Sequence, residues 1–514
     1  MRRMYSVLSF SFVLFLSVLC VDFLLTRLFV GFPKIEFGWQ TVWILTAVAA
    51  VFLLAIFCIY GTPLAAVLFV VFILIFSARV VQKNNDFAYI YENLPKTNEF
   101  FGYAVSYPLR FVGQPHDMRD DGSFYFMMKI TKVRKGSVFV PVSKPFVLQV
   151  NCRNAAESEV LCWGTYRVTG QIKPDKSVYF MSKNCVGCIN ARKILSADRF
   201  AHPMLKTGIV RAKLLNKLEY KLSSQSFSFA AAIFFGNRSY IEPEAMESWR
   251  RSGLTHLLAV SGFHVGVLAA AVQCLLRRFF SRTVSSVFTS AVLVIFGLFL
   301  NISASSMRAI LMYFVLMINN EAGITSGKQH SMSVAGIILI FINPYAIYDY
   351  GFILSFCAVA GILLFADKIV PEKESVIPFF RGIASSWAVC IAAFGVTALF
   401  QCSLFGQLPV FSIVTSMFVC AIFSFVFVFI LVCILLIILF PNADVFCVLA
   451  DWVSLVFLEI IKLAERIPPL KTGNIPLYIG FLFLIGLFFC LYIVLPMYST
   501  IKRKTAFEKL KRLS

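Results

Sequence analysis

Trp249-Arg250-Arg251-Ser252-Gly253-Leu254-Thr255-His256-Leu257-Leu258-Ala259-Val260-Ser261-Gly262-Phe263-His264-Val265-Gly266 leads into an apolar stretch that continues through Leu276. Two histidines, a Ser-Gly break and three glycines thus stand at the mouth of a membrane span. Polar groups in hydrocarbon have no water to satisfy them, so they turn to a protein interior or a wet cavity. Capping of one helix end at the membrane interface accounts for either histidine alone. The density of polar and small residues favours a cavity for the group.

The rest of the chain agrees with a membrane setting. Of its 514 residues, 59% are hydrophobic, 14% are charged and 56 are phenylalanine, and the mean hydropathy is +0.82. Many segments reach the roughly 20 apolar residues that a spanning helix needs. The expected fold is therefore a polytopic all-α membrane bundle of about 10–12 spans. A net charge of +21 exceeds ordinary positive-inside bias and suits a polyanionic partner or anionic membrane lipid.

Apolar runs at 5–26, 40–58 and 63–81 form an N-terminal three-helix segment, 1–83. The first follows Met1-Arg2-Arg3 and ends at Asp22 and Arg27 without a clear cleavage site, which predicts a retained signal anchor with a cytoplasmic N-terminus. Three crossings place residues 84–203 outside the cytoplasm. There, short strand-like stretches (Phe124 to Ile130, Ser137 to Val142, Tyr166 to Ile172) are punctuated by Gly, Asn and Pro, which predicts a small inserted all-β, OB-fold-like domain. Residues 204–226 hold a basic amphipathic helix, with Leu205, Ile209, Ala212, Leu215, Leu218 and Leu222 on one face and Lys206, Arg211, Lys213, Lys217 and Lys221 mostly opposite, expected to lie flat at the membrane surface. Residues 227–497 form a transmembrane domain with candidate spans near 256–276, 284–301, 307–320, 331–346, 352–369, 383–400, 410–440 and 475–497. The 410–440 run has room for a tilted span plus a re-entrant piece, and 444–466, which carries Asp444, Asp451, Glu459, Lys462 and Glu465 among apolar residues, suits the interface. The basic tail 498–514 belongs in the cytoplasm. Eight crossings from outside would leave it outside, so one run re-enters or 444–466 crosses.

No G-x-x-x-x-G-K-[ST] loop and no H-E-x-x-H is present. Five scattered histidines argue against a metal site, and no cofactor is expected. Ser261 between two histidines invites a nucleophile reading, although Gly-flanked serines in membrane helices more often serve close packing. Arg308, in Asn301-Ile302-Ser303-Ala304-Ser305-Ser306-Met307-Arg308-Ala309-Ile310-Leu311-Met312, is costlier to dismiss: exposed to lipid it loses about 2.5–3.5 kcal/mol, so it needs an acid, carbonyls or a wet path. Asp349 is one candidate partner; an interfacial loop position is the alternative for both. Residues 84–225 carry 21 Lys+Arg against 11 Asp+Glu. The bases Lys129, Lys132, Arg134, Lys135 and Arg167 and the aromatics Phe124, Tyr125, Phe126, Trp163, Tyr166, Tyr179 and Phe180 offer a basic, stacking surface for single strands. Aromatics on short strands also serve as core. Ten of 14 cysteines sit in apolar segments. Outside the cytoplasm, Cys152, Cys162, Cys185 and Cys188 suggest two disulfides, with a four-thiolate zinc site as the alternative.

Several ordered motifs resemble the ComEC competence-protein family: Phe235-Gly236-Asn237-Arg238, the stretch Gly253 to Gly266, Ser305-Ser306-Met307-Arg308-Ala309-Ile310-Leu311-Met312, Asn343-Pro344, and Asp349-Tyr350-Gly351-Phe352-Ile353-Leu354-Ser355-Phe356. Asn237 stands where that family commonly has Asp, the proline often found beside Ser305 is absent, and a late Asn-and-Pro pattern is not obvious around Ser416. The chain ends without the metallo-β-lactamase-like domain of many members. The resemblance implies an inner-membrane channel that passes single-stranded DNA into the cytoplasm, with His256, Ser261, Gly262, His264, Ser305, Arg308 and Asp349 on its polar path. It also implies a separate extracytoplasmic DNA receptor, a nuclease, a cytoplasmic ATP-driven translocase or single-strand-binding proteins, and is compatible with a homo-oligomer. A transporter or flippase for a small anion, and an intramembrane hydrolase using Ser261 with His256 or His264, are the alternatives.

Overall fold

The computed structural model describes Val18 and most of residues 63–471; outside the described residues lie the rest of 1–62, 472–514, and internally 96, 107–108, 111–123, 136, 153–163, 197–204, 259, 301–303, 323–327, 367–377, 406, 409–411, 441, 443 and 466–469. The candidate spans 5–26, 40–58 and 475–497 therefore fall outside, as does Cys162.

Five strands close into a barrel. They are β1 (Glu99–Ala104), β3 (Phe124–Lys135), β4 (Val138–Cys152), β5 (Thr165–Pro174) and β6 (Cys185–Ser196), with the short β2 (Leu109–Arg110) added to β3. The order β5-β6-β4-β3-β1 returns from β1 to β5, and β4–β6 is the one parallel pair among them. Closure removes the sheet edges, as in OB-like barrels. Alternation along β3 places Phe124, Phe126, Met128 and Ile130 inside and Tyr125, Met127 and Lys129 outside, as the two-residue period of a strand requires. At Gly102 a Cβ would meet the Lys129 carbonyl oxygen at 2.0 Å, so β1 crosses β3 only with glycine there.

The barrel does not begin at residue 84. The helix Pro63–Glu92 runs through that point and packs against the barrel. Phe76, Val80 and Phe87 share one apolar cluster with barrel residues Phe100, Phe126 and Leu148 and with Met332, Tyr345, Phe352 and Phe356 of the C-terminal half. Polar contacts reinforce this joint. Asn343 Nδ2 donates to the Ser182 carbonyl at 2.7 Å, Tyr345 Oη donates to Asn84 at 2.7 Å, Tyr91 Oη donates to the Asp175 carbonyl at 2.7 Å, and Lys183 pairs with Asp349.

The C-terminal half is helical. Among the described residues, Arg282–Phe299 and Val414–Leu439 are long and apolar enough to cross a membrane; Ser224–Phe235, Gly262–Leu276, Lys328–Ile342, Tyr350–Ala366 and Ala384–Ala398 are shorter apolar helices. That is two such helices where the composition suggests about ten to twelve. Residues Ser412–Leu439, most of the 410–440 run that has room for a span plus a re-entrant piece, form one uninterrupted helix. Its Phe423, Phe427 and Ile430 pack with Phe234, Trp249 and Phe457 in a second core.

The amphipathic helix, Leu205–Lys221, packs on this core through Leu215 and Leu218. Arg211, expected on its polar face, is buried. Its Nη2 donates to the Phe235 carbonyl at 2.5 Å. The helix Ser224–Phe235 ends there with carbonyls that no longer have intrahelical donors, and a guanidinium supplies one.

Candidate functional site

The site is built on a broken helix. Helix Pro243–Arg251 ends at Gly253, whose φ of 72° is the left-handed value that glycine adopts without strain. Gly253 N–H donates to the Arg250 carbonyl and Leu254 N–H to that of Trp249, both near 3 Å, the pairing of a Schellman stop. A single turn, Thr255–Leu258, follows before the next helix, Gly262–Leu276. Ser261 caps that helix. Its Oγ accepts from the Phe263 N–H at 3.2 Å, and its own N–H donates to His264 Nδ1 at 3.3 Å. This is a capping box with histidine in the place usually taken by Glu or Gln.

His264 is fully buried. Its ring stands edge-on to Phe423 and Phe427, with centroids 5.0 and 5.3 Å away. Because Nδ1 accepts the Ser261 N–H, the ring proton resides on Nε2. The Leu257 backbone bears on the ring, yet Nε2 makes no hydrogen bond of standard geometry among the described residues. Ser261 Oγ lies 3.2 Å from Nδ1, but the ring is flanked by phenylalanines where a hydrolase would place an orienting acid.

Gly262 brings Arg308 to this break. A Cβ on Gly262 would sit 2.6 Å from Arg308 Nη2, so the guanidinium lies directly against the glycine backbone. Arg308 is 5% exposed. Its Nε donates to Ser355 Oγ at 2.8 Å, and Ser355 Oγ is 2.9 Å from Ser305 Oγ. Nη1 contacts Met312 Sδ at 3.3 Å, and the Phe356 ring lies 5.6 Å from the guanidinium carbon. Among the described residues no carboxylate pairs with Arg308. Ser305, Arg308 and Ser355 thus form one polar cluster within the helical core; Gly262 lays its backbone against it, and Ser261 and His264 form the cap at the start of the same helix.

Asp349 and His256 stand apart from it. Asp349 caps helix Tyr350–Gly361, with Oδ1 accepting from Gly351 N–H at 2.7 Å, while Oδ2 pairs with Lys183 of the barrel. Asp349, one candidate partner for Arg308, does not pair with it: the first turn of a helix and a barrel lysine already occupy the carboxylate. His256 is exposed; its Nδ1 lies 3.2 Å from the Gly253 carbonyl oxygen, and its Nε2 is 3.9 Å from Cys420 Sγ.

On the outer wall of the barrel, the basic candidates mostly share one face. Register places Phe101 opposite both Lys132 and Arg167, Tyr103 opposite Lys129, and Arg134 opposite Phe139. Glu99 binds both arginines: Arg134 Nη1 at 2.8 Å, and Arg167 Nε and Nη2 at 3.1 and 2.7 Å. These bonds from Arg167 and then Arg134 hold its carboxyl below the usual range. Lys135 is exposed at the end of β3. Of the aromatics expected to stack bases, Phe124, Phe126 and Tyr166 are barrel core, because their strand phase points inward. Trp163 lies outside the described residues, as does the Tyr179 side chain. Sequence reasoning missed Phe101 and Phe139, whose outward phase is fixed by the inward Gly102 and by pairing with Arg134.

The disulfide expectation is corrected. Cys152, Cys185 and Cys188 are free thiols. Along β4, Cys185 pairs with Val147, Cys188 with Gln149, and Cys152 with Ala191. At about 3.3 Å per residue this separates Cys152 from Cys185 by about 16 Å and from Cys188 by about 10 Å, beyond disulfide reach. Burial pushes the Cys152 thiol up to about 12 and that of Cys185 to about 11. No group of metal-ligating residues occurs among the described residues.

A family model described as Competence protein matches residues 233–497, which carry the break, the cap and Arg308. The chain belongs to the competence-protein family. ComE operon protein 3 of Bacillus subtilis is 27% identical over 167 residues, covering 32% of this chain and 21% of that protein. Recombination protein 2 of Haemophilus influenzae is 27% identical over 172 residues, covering 32% and 22%. An uncharacterized protein of Aquifex aeolicus is 29% identical over 160 residues, covering 30% and 37%. The aligned stretches thus span about a fifth to somewhat over a third of these relatives. No solved structure matches.

Proposed function

We propose that the chain is a multi-pass channel of the cytoplasmic membrane that imports single-stranded DNA during natural transformation, with its barrel outside and its basic tail inside. Family membership supports this reading, and one observation carries it. Arg308 lies 95% buried in the helical core; among the described residues it has no carboxylate partner, and a serine hydroxyl, a thioether, an aromatic face and the Gly262 backbone surround it. A guanidinium in that setting calls for an anion. A passing phosphodiester supplies one, much as basic residues guide anions through pores. Ser261, His264 and the Gly262 break provide polar, close-packed surroundings without covalent chemistry. A receptor, a nuclease and an ATP-driven translocase would be separate proteins.

Complementation of a deletion strain tests this. The wild-type chain should restore uptake, and Arg308→Ala should abolish it while membrane insertion stays normal; normal uptake by Arg308→Ala refutes the proposal. The contact of Gly262 on Arg308 favours, as a second reading, a transporter or flippase for a small anion, which needs less room than a strand.

A further inference from the structure

The outer wall of the barrel combines three features on one face. Two half-exposed aromatic rings, Phe101 and Phe139, stand 6.1 Å apart at an angle of 55°. A cation lies over each: Lys132 Nζ is 5.6 Å from the Phe101 centroid, and the Arg167 guanidinium carbon 4.9 Å from that of Phe139. Between Arg134 and Arg167, Glu99 places one carboxylate oxygen on each guanidinium.

A carboxylate bridging two guanidiniums offers two anionic oxygens on one central atom. A phosphodiester does the same, and the planar fork of arginine recognises both groups alike. The aromatic rings beside it supply what a nucleobase needs for stacking and a lipid headgroup does not. We propose that β1, β3, β4 and β5 form a single-strand docking face on which Phe101 and Phe139 stack bases while Arg134 and Arg167 hold a phosphodiester, and that Glu99 is a built-in surrogate phosphate which masks this site until a strand displaces it. The surrogate keeps two arginines ordered on a half-exposed surface, where free guanidiniums would otherwise attract any anion. Displacement then exchanges one anion for another, so binding is weaker than the bare arginines would give and is selective for ligands that also stack.

The proposal deepens the DNA-channel reading and rests on it, yet its test does not need transport. The full chain in detergent is titrated with fluorescent oligo-dT over a range of salt. Glu99→Gln should tighten binding several-fold and steepen the salt dependence by up to about 1.4 in log-log slope, the value for two freed phosphate contacts on a single strand. Phe139→Leu, which keeps an apolar side chain, should weaken binding about 5- to 150-fold, the loss of one stacked base. Vesicles of phosphatidylglycerol, used in place of oligo-dT, should show no comparable gain with Glu99→Gln. Unchanged or weaker oligo-dT binding by a folded Glu99→Gln variant overturns the proposal, as does an equal gain on vesicles. Should Glu99→Gln fail to fold, normal binding by Phe139→Leu overturns it. Failure of uptake in the complementation strain, with these binding changes intact, would fault the channel reading alone.

Discussion

Two glycines on one helix should respond oppositely to the same added methyl. In Gly262–Leu276, a Cβ on Gly262 would lie 2.6 Å from Arg308 Nη2 and 3.4 Å from Ala309 Cβ, whereas a Cβ on Gly266 meets nothing within 4 Å. Alanine in a helix interior is worth up to about 1 kcal/mol over glycine. At Gly266 that gain should appear with little to offset it. At Gly262 the guanidinium has to move by most of an ångström, and Nε is held by Ser355 in a site that is 5% exposed. Overpacking of this kind costs about 1–3 kcal/mol, and Gly262 is the first residue of its helix, outside the interior where alanine gains, so the net change is a destabilisation of about 1–3 kcal/mol with Arg308 displaced. Thermal unfolding of the purified protein should show Gly266→Ala unchanged or raised and Gly262→Ala lowered. Transformation frequency should fall only for Gly262→Ala. Equal behaviour of the two variants, or normal uptake with Gly262→Ala, would refute the placement of Arg308 against this helix.

Asp349→Asn keeps an N-cap acceptor but loses the charge of the Lys183 pair, so it should cost no more than about 1 kcal/mol, whereas Asp349→Ala loses the cap as well and should cost about 1–2 kcal/mol more; equal unfolding temperatures for the two variants would separate Asp349 from the helix start. In the native protein, maleimide should modify the partly exposed Cys188 faster than Cys152 and Cys185, whose thiols burial holds far from ionisation; electrophoresis without reductant showing a crosslink from Cys152 to Cys185 or Cys188 would contradict the register. Because the folded carboxyl of Glu99 ionises below its unfolded range, it stabilises the barrel above that range and ceases to as pH falls through the folded value. An acid melt of Glu99→Gln should therefore be flatter than wild type, and identical acid limbs would argue against the Arg134–Glu99–Arg167 bridge.

The barrel was legible because short strand-like stretches such as Phe124 to Ile130 are punctuated by Gly, Asn and Pro. Its inward phase was not, since both faces of that stretch carry large apolar side chains. The Ser261–Gly262 break and Arg308 stood out as polar groups inside apolar runs, and the structure lays Gly262 against Arg308. Asp349 resembled an acid waiting for that arginine; its capping of Tyr350–Gly361 could be suspected locally, but Lys183 lies 166 residues away in sequence. The cysteines were read from compartment alone, and no compartment argument contains a strand register. Arg211 was placed on a polar face by helical spacing, because spacing carries no information about the unsatisfied carbonyl at Phe235.

The apolar cluster that runs from Phe76 through the barrel to Tyr345 and Phe356 makes barrel and bundle one cooperative unit. Phe356 sits in that cluster and also lies over Arg308. Denaturation should then show no separate melting of the barrel, because unfolding it would strip Phe87 and Tyr345 of their neighbours at the same moment. Exchanging the barrel between family members, as if it were a detachable module, would perturb the arginine beneath it, so the outer domain and the buried cation are constrained to change together.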